Sequence, residues 1–206
     1  MTALASGGVY ALLDLDTIAP DRALCLARDV ITAGVGVLQL RDKHRRTDAV
    51  WRAKLGESCQ THRVPLLIND DLNAAQRADG IHLGLGDTPI ADARRALGPD
   101  ALIGATCHAS LDHAVRAADQ GADYLSFGRF FVSHTKPHAP PADPAVLTRA
   151  RARFAQPIVA IGGINPDNGG ELVAAGAQWL CVGHGLFASA DPAATVRQLR
   201  ALFPTD

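Results

Sequence analysis

The chain lacks an excess of charge of either sign. Its 206 residues carry 20 Lys and Arg against 21 Asp and Glu, a net charge of −1. A general nucleic-acid binder presents a basic face to phosphates, so this balance argues against that class while leaving room for a local basic pocket. No apolar run reaches the roughly 18 residues that a membrane span needs, and no membrane role is expected. The opening "MTALASGGVYALLDLD" has no basic start of the kind that leads a signal peptide, so a cytoplasmic protein is expected. The four cysteines, Cys25, Cys59, Cys107 and Cys181, are widely spaced and form no CxxC pair. That argues against a zinc site or a disulfide framework and for buried reduced thiols. Low-complexity tracts, coiled-coil heptads and inter-domain linkers are missing too. The one proline-rich patch, "KPHAPPADP" (136–144), reads as a loop within a single domain spanning 1–206.

What is present is alternation. With 48% hydrophobic and 20% charged residues the composition is that of an ordinary globular protein, and the length suffices for a large core. Short runs rich in Val, Ile and Leu recur at 9–16, 35–42, 65–70, 80–85, 102–107, 124–129, 157–163 and 179–184. Such runs mark strands covered on both faces. Amphipathic stretches lie between them. "DRALCLARDVITAG" (21–34) has Asp21 as a candidate N-cap and Gly34 as a stop, "SLDHAVRAADQG" (110–121) repeats the pattern with Ser110 and Gly121, and "DPAATVRQLRALF" (191–203) closes the chain. Eight βα units in one domain predict a compact α/β (β/α)8 TIM barrel rather than an open doubly wound sheet. The first strand is not followed by the GxGxxG of a dinucleotide site.

Such a barrel builds its site at the C-terminal ends of its strands, and polar residues gather there. In "LQLRDK" side chains alternate, so Gln39, Arg41 and Lys43 share one side if the strand stays extended, while Leu38 and Leu40 face the helices. An interior Arg needs an anionic partner: a ligand at the mouth is favoured, a carboxylate within the barrel being the alternative. "LLIND" ends in Asn69 and Asp70, and "HLGLGD" ends in Asp87. Paired carboxylates at neighbouring strand ends suit Mg²⁺, unless each merely caps the next helix. With Arg41 and Lys43 they suggest a metal–pyrophosphate site. Glycines at "AIGGINPDN" and "CVGHGLF", among them Gly162, Gly163, Gly183 and Gly185, place backbone N–H groups where a phosphate sits in these barrels, or simply make tight turns. "VSHTKP" adds Ser133, Thr135 and Lys136 after the sixth strand, with His134 given no chemical role. His82 and His108 stand near strand ends, where a structural role is at least as good a reading as acid–base chemistry.

The stretches "LQLRDK", "LLIND", "DGIHLG" with Asp87, "IGATCHAS", "FGRFFVSHTKP", "PIVAIGGINPDN" and "GHGLF" together resemble the thiamine-phosphate synthase family across nearly the whole chain. The resemblance implies a (β/α)8 barrel and a transferase of thiamine biosynthesis. The reaction it implies joins 4-amino-2-methyl-5-pyrimidinylmethyl diphosphate to 4-methyl-5-(2-phosphoethyl)thiazole by a dissociative route, releasing pyrophosphate. It further implies that Gln39, Arg41, Lys43 and Asn69 contact the pyrimidine diphosphate, that Thr106 meets the pyrimidine where the family often has Ser, and that Asp70 and Asp87 bind Mg²⁺. Ser133 and Thr135 fall to the thiazole phosphate side, Lys136 to the diphosphate, and Gly163, Gly183 and His184 to the thiazole phosphate. Arg41, Lys43, Thr106 and Lys136 form the implied catalytic set. Leu85 stands where the family commonly has Gln, Gly183 replaces a usual aliphatic, and the third helix is about two residues short. Related thiazole tautomerases share a histidine at the His108 position but tend to lose the pyrophosphate set, which is present here. A phosphate-ligand sensor without catalysis is the non-enzymatic alternative. Small-molecule substrates are the expected partners, and a homo-oligomer is compatible with the sequence.

Overall fold

The computed structural model describes residue 4 and residues 7–132 and 141–204. Its strands are β1 (Gly8–Asp14), β2 (Val37–Arg41), β3 (Leu66–Asn69), β4 (Gly80–Leu83), β5 (Leu102–His108), β6 (Tyr124–Phe127), β7 (Ile158–Ile161) and β8 (Trp179–Val182). The helices between and after them are α1 (Pro20–Thr32), α2 (Ala49–Thr61), α3 (Leu72–Ala75), α4 (Ile90–Leu97), α5 (Leu111–Asp119), α6 (Ala145–Arg153), α7 (Gly169–Ala174), α8 (His184–Phe187) and α9 (Pro192–Arg200). Each strand pairs in parallel with the next, and β8 pairs with β1, closing the barrel in chain order. All eight apolar runs are strands. Most of them are shorter than the runs, because their last residues leave the sheet to form the loops at the barrel mouth.

Alternation along the strands separates two cores. Leu38 and Leu40 of β2 pack outward with Val9, Ala11 and Leu13 of β1 against the helices. Tyr10, Val37, Leu67, Leu102, Tyr124, Val159, Trp179 and Cys181 fill the barrel interior. Trp179 plugs the N-terminal end, where its indole Nε1 donates to the Leu4 carbonyl over 3.0 Å.

Helix boundaries follow local chemistry. The Ser110 hydroxyl accepts from the His113 amide at 3.2 Å and caps α5 as expected. Asp191 does the same for α9, over 2.8 Å to the Ala194 amide. Asp21 is not the cap of α1. That helix starts at Pro20 behind Ala19, because the fixed φ of proline suits the first helical position, and Asp21 sits in the first turn, where its charge favours the helix N-terminus. Cys59, Cys107 and Cys181 are buried and Cys25 is exposed, all four unbridged. Burial pushes the Cys59 and Cys107 thiols up to about 12, in keeping with inert core thiols. Among the described residues no helix is long and apolar enough to cross a membrane.

Candidate active site

The barrel mouth opens into a cavity of about 320 Å³ above the tyrosines of the inner core. Gln39, Arg41, Asn69 and Thr106 line it from β2, β3 and β5, and Gly163, Gly183 and His184 line it from the loops after β7 and β8. Gln39 is buried, because its β2 position points inward. Its Nε2 donates to Asn69 Oδ1 at 2.8 Å, and its Oε1 accepts from the Tyr10 hydroxyl at 2.7 Å. Thr106 Oγ1 lies 2.9 Å from His82 Nε2. At Gly163 φ is +69°, and a Cβ there would collide with the Val132 carbonyl, so this turn requires glycine.

Arg41 meets carboxylates within the barrel wall as well as the cavity. Its Nη1 lies 2.8 Å from Asp14 Oδ1 and 2.5 Å from Asp16 Oδ2. Burial works against its charge, but the hydrogen bonds to Asp16 and Asp14 outweigh that and raise its pKa. Both alternatives for an interior Arg therefore meet at this residue: β1 ends in two acids that hold the guanidinium, and the cavity lies beside it.

Lys43, Asp70 and Asp87 form a rim cluster outside the cavity lining. β2 stops at Arg41, so Lys43 does not continue its alternation. It stands on the following loop, more than two-fifths exposed, and its ammonium pairs with Asp70 Oδ2. That loop is folded by Asp42, which accepts from Thr47 Oγ1 at 2.7 Å and from the amides of Arg46 and Thr47 at 2.8 and 2.9 Å. Neither Asp70 nor Asp87 is a helix cap. Asp71 caps the single turn of α3, and Pro89 precedes α4. Asp70 has a left-handed φ of +61°, while Asp87 accepts from the Gly84 amide at 2.7 Å. The two carboxyls are close enough to shift each other. Burial and Asp87 push Asp70 up against the pull of Lys43; at Asp87 the burial effect is outweighed by the bonds from Asp70 and the Gly84 amide, with Lys43 and His82 helping to hold it down. Leu85 is exposed on the same loop, so its apolar side chain adds no ligand. Ser133, Thr135 and Lys136, with His134, lie outside the described residues.

Sequence reasoning passed over Tyr10, Tyr124, Asp14 and Asp16. Tyr10 shares the inward parity of Leu12 in "VYALLDLD", and the two acids stand at its end. Both signals were legible, because every strand end in this fold faces the site. Arg129, also missed, lines the cavity and donates from Nη1 to the Phe131 carbonyl at 2.9 Å.

Parallel closure and polar groups gathered at the strand C-termini define a (β/α)8-barrel enzyme. A sequence profile described as "Thiamine monophosphate synthase" matches residues 9–186. The chain belongs to the thiamine monophosphate synthase family. The thiamine-phosphate synthase of Alcanivorax borkumensis is 45% identical over 206 residues, covering 97% of this chain and 95% of the relative. That of Saccharophagus degradans is 48% identical over 185 residues, covering 87% of this chain and 85% of the relative. The solved structure of thiamine phosphate pyrophosphorylase from Pyrococcus furiosus superposes with a TM-score of 0.81 at 25% identity, covering 97% of this chain and 96% of that one.

Proposed function

We propose that the chain condenses 4-amino-2-methyl-5-pyrimidinylmethyl diphosphate with 4-methyl-5-(2-phosphoethyl)thiazole, giving thiamine phosphate and pyrophosphate. The observation that carries this reading is one cavity lined on one side by Gln39, Arg41, Asn69 and Thr106 and on the other by Gly163, Gly183 and His184. Those are the two sides that a diphosphate-bearing ring and a phosphate-bearing ring need in order to meet. In the reaction the bond from the methylene carbon to the diphosphate oxygen breaks, with its electron pair leaving on pyrophosphate. The lone pair of the thiazole nitrogen then forms the new C–N bond. Arg41 and Lys43 stabilise the leaving charge from the pyrimidine side. Enclosure of both rings in the cavity orients them and excludes the water that would trap the cation. Both substrates are multiply charged small molecules, which fits a cytoplasmic enzyme.

Asp70 and Asp87 fit Mg²⁺: they are hard oxygen donors on the loops that follow the paired strands β3 and β4. Among the described residues no group of three or more His, Cys, Asp or Glu gathers as a metal site, so the remaining ligands would come from water and diphosphate, as is usual for this ion. Bound there, Mg²⁺ would supply positive charge against the departing diphosphate. The test is release of pyrophosphate by the purified chain, which should require both substrates and should fall about 100-fold or more in Arg41→Ala. Near-normal release in that variant contradicts the role given to Arg41.

A further inference from the structure

The described lining of the cavity holds two arginines, Arg41 and Arg129. Arg41 ends β2, and Arg129 follows β6. In the closed barrel β6 and β7 lie across from β2 and β3, so the two guanidinium groups serve different sides of the mouth. Arg41 belongs to the side given to the diphosphate. Arg129 belongs to the side of the glycine loop that follows β7.

Contacts at both ends of the Arg129 side chain tie it to that loop. At its base, a Cβ on Gly162 would collide with the Arg129 Cβ, so the stem of the arginine rests on this glycine. At its tip, Nη1 donates to the Phe131 carbonyl at 2.9 Å. The carbon of that carbonyl is 2.9 Å from the place a Cβ of Gly163 would take. The stretch between is pinned as well, because the Phe131 amide donates to the Gly162 carbonyl at 3.0 Å. The guanidinium thus stands one carbonyl away from the Gly162–Gly163 turn, in the wall of the cavity.

The glycine turn alone supplies backbone N–H groups, which carry only partial charge. A phosphate monoester brings about −1.5 to −2 charges at neutral pH, and enclosing them calls for a full positive charge nearby. A guanidinium keeps its charge at every physiological pH and has five N–H donors in a planar fork. Its bond to the Phe131 carbonyl orients that fork and is compatible with a phosphate on it.

We propose that Arg129 binds the phosphate of the thiazole substrate and makes the site select a phosphorylated thiazole over the free alcohol. This rests on the proposed function and assigns one residue's part in it. The alcohol, 4-methyl-5-(2-hydroxyethyl)thiazole, has the same ring and the same reacting nitrogen but brings no charge to the guanidinium. Arg129 is on this account a binding and specificity residue, with no part in the departure of pyrophosphate.

Steady-state kinetics of the full chain with each thiazole in turn test this. The wild-type kcat/KM for the phosphate should exceed that for the alcohol by about 100-fold or more. Arg129→Gln should shrink that ratio by about tenfold or more, through KM for the thiazole phosphate. Its KM for the pyrimidine diphosphate should change less. Arg129→Lys, which keeps the charge and loses the fork, should recover part of the ratio. Arg129→Met keeps the stem on Gly162 and takes the place of Arg129→Gln if that variant does not fold. A ratio unchanged while both rates fall in proportion means that Arg129 only holds its loop, and overturns the proposal. So does wild-type protein that uses both thiazoles equally, or a variant whose main change is in KM for the diphosphate. Absence of turnover with either thiazole sinks the proposed function instead. Calorimetric titration with the thiazole phosphate then decides the role of Arg129: a Kd at least about tenfold weaker in Arg129→Gln supports it, and equal affinity or no binding to wild type overturns it.

Discussion

Asp14, nearly buried at the end of β1, holds Arg41 through a 2.8 Å bond to its Nη1. The same nitrogen bonds Asp16 on the following loop, so two acids fix the guanidinium from one corner while Arg41 lines the cavity. Removing the charge of Asp14 leaves the bulk of its side chain and weakens this hold. Asp14→Asn should lower unfolding free energy by about 2 kcal/mol, read by urea denaturation. It should also raise KM for the pyrimidine diphosphate more than KM for the thiazole phosphate. Equal KM values with wild-type stability contradict the orienting role.

The Asp42 loop carries Lys43 to Asp70. Burial by itself would raise the Asp42 carboxyl. The bonds from the Thr47 hydroxyl and from the Arg46 and Thr47 amides, with the charge of Arg52, hold it below the usual carboxylate range instead. A carboxyl depressed in the folded state stabilises above its unfolded pKa, and that stability is lost as pH falls through the folded value. Asp42→Asn should therefore cost about 1 kcal/mol at pH 7. The gap to wild type should close as pH falls below about 4. A gap independent of pH would mean that the charge of Asp42 plays no part.

Gly163 has a left-handed backbone, with the Val132 carbonyl in the place of a Cβ. Gly163→Ala should cost about 1–3 kcal/mol of stability and raise KM for the thiazole phosphate while changing KM for the diphosphate less. Steady-state kinetics with each substrate varied in turn checks the split.

Asp87→Asn keeps an oxygen that can accept from the Gly84 amide but removes the charge. The Mg²⁺ concentration giving half-maximal rate should rise about tenfold or more. An unshifted metal titration contradicts Asp87 as a ligand.

The sequence was most informative where period and position coincide. All eight strands are readable because each run is short, rich in Val, Ile and Leu and bounded by helical stretches, and Gln39 can be placed inward from the parity of "VLQLR". That parity does not extend to Lys43, since the strand ends at Arg41 and alternation has no meaning in the loop that Asp42 folds. Asp21 precedes an apolar periodic stretch as a cap would, but Pro20 starts α1 one residue earlier. The pairing of Arg41 with Asp14 joins residues on different strands, and Gln39 joins Tyr10 and Asn69 across β1, β2 and β3. Such contacts depend on barrel closure and strand stagger, which no local pattern carries.

The most direct measurement of the central claim is to incubate the purified chain with both substrates, with and without Mg²⁺, and quantify thiamine phosphate and pyrophosphate together. The account predicts equimolar formation of both products with Mg²⁺ present and a large loss of both when it is chelated. Binding of either substrate with no thiamine phosphate formed, at any Mg²⁺ concentration, would contradict it.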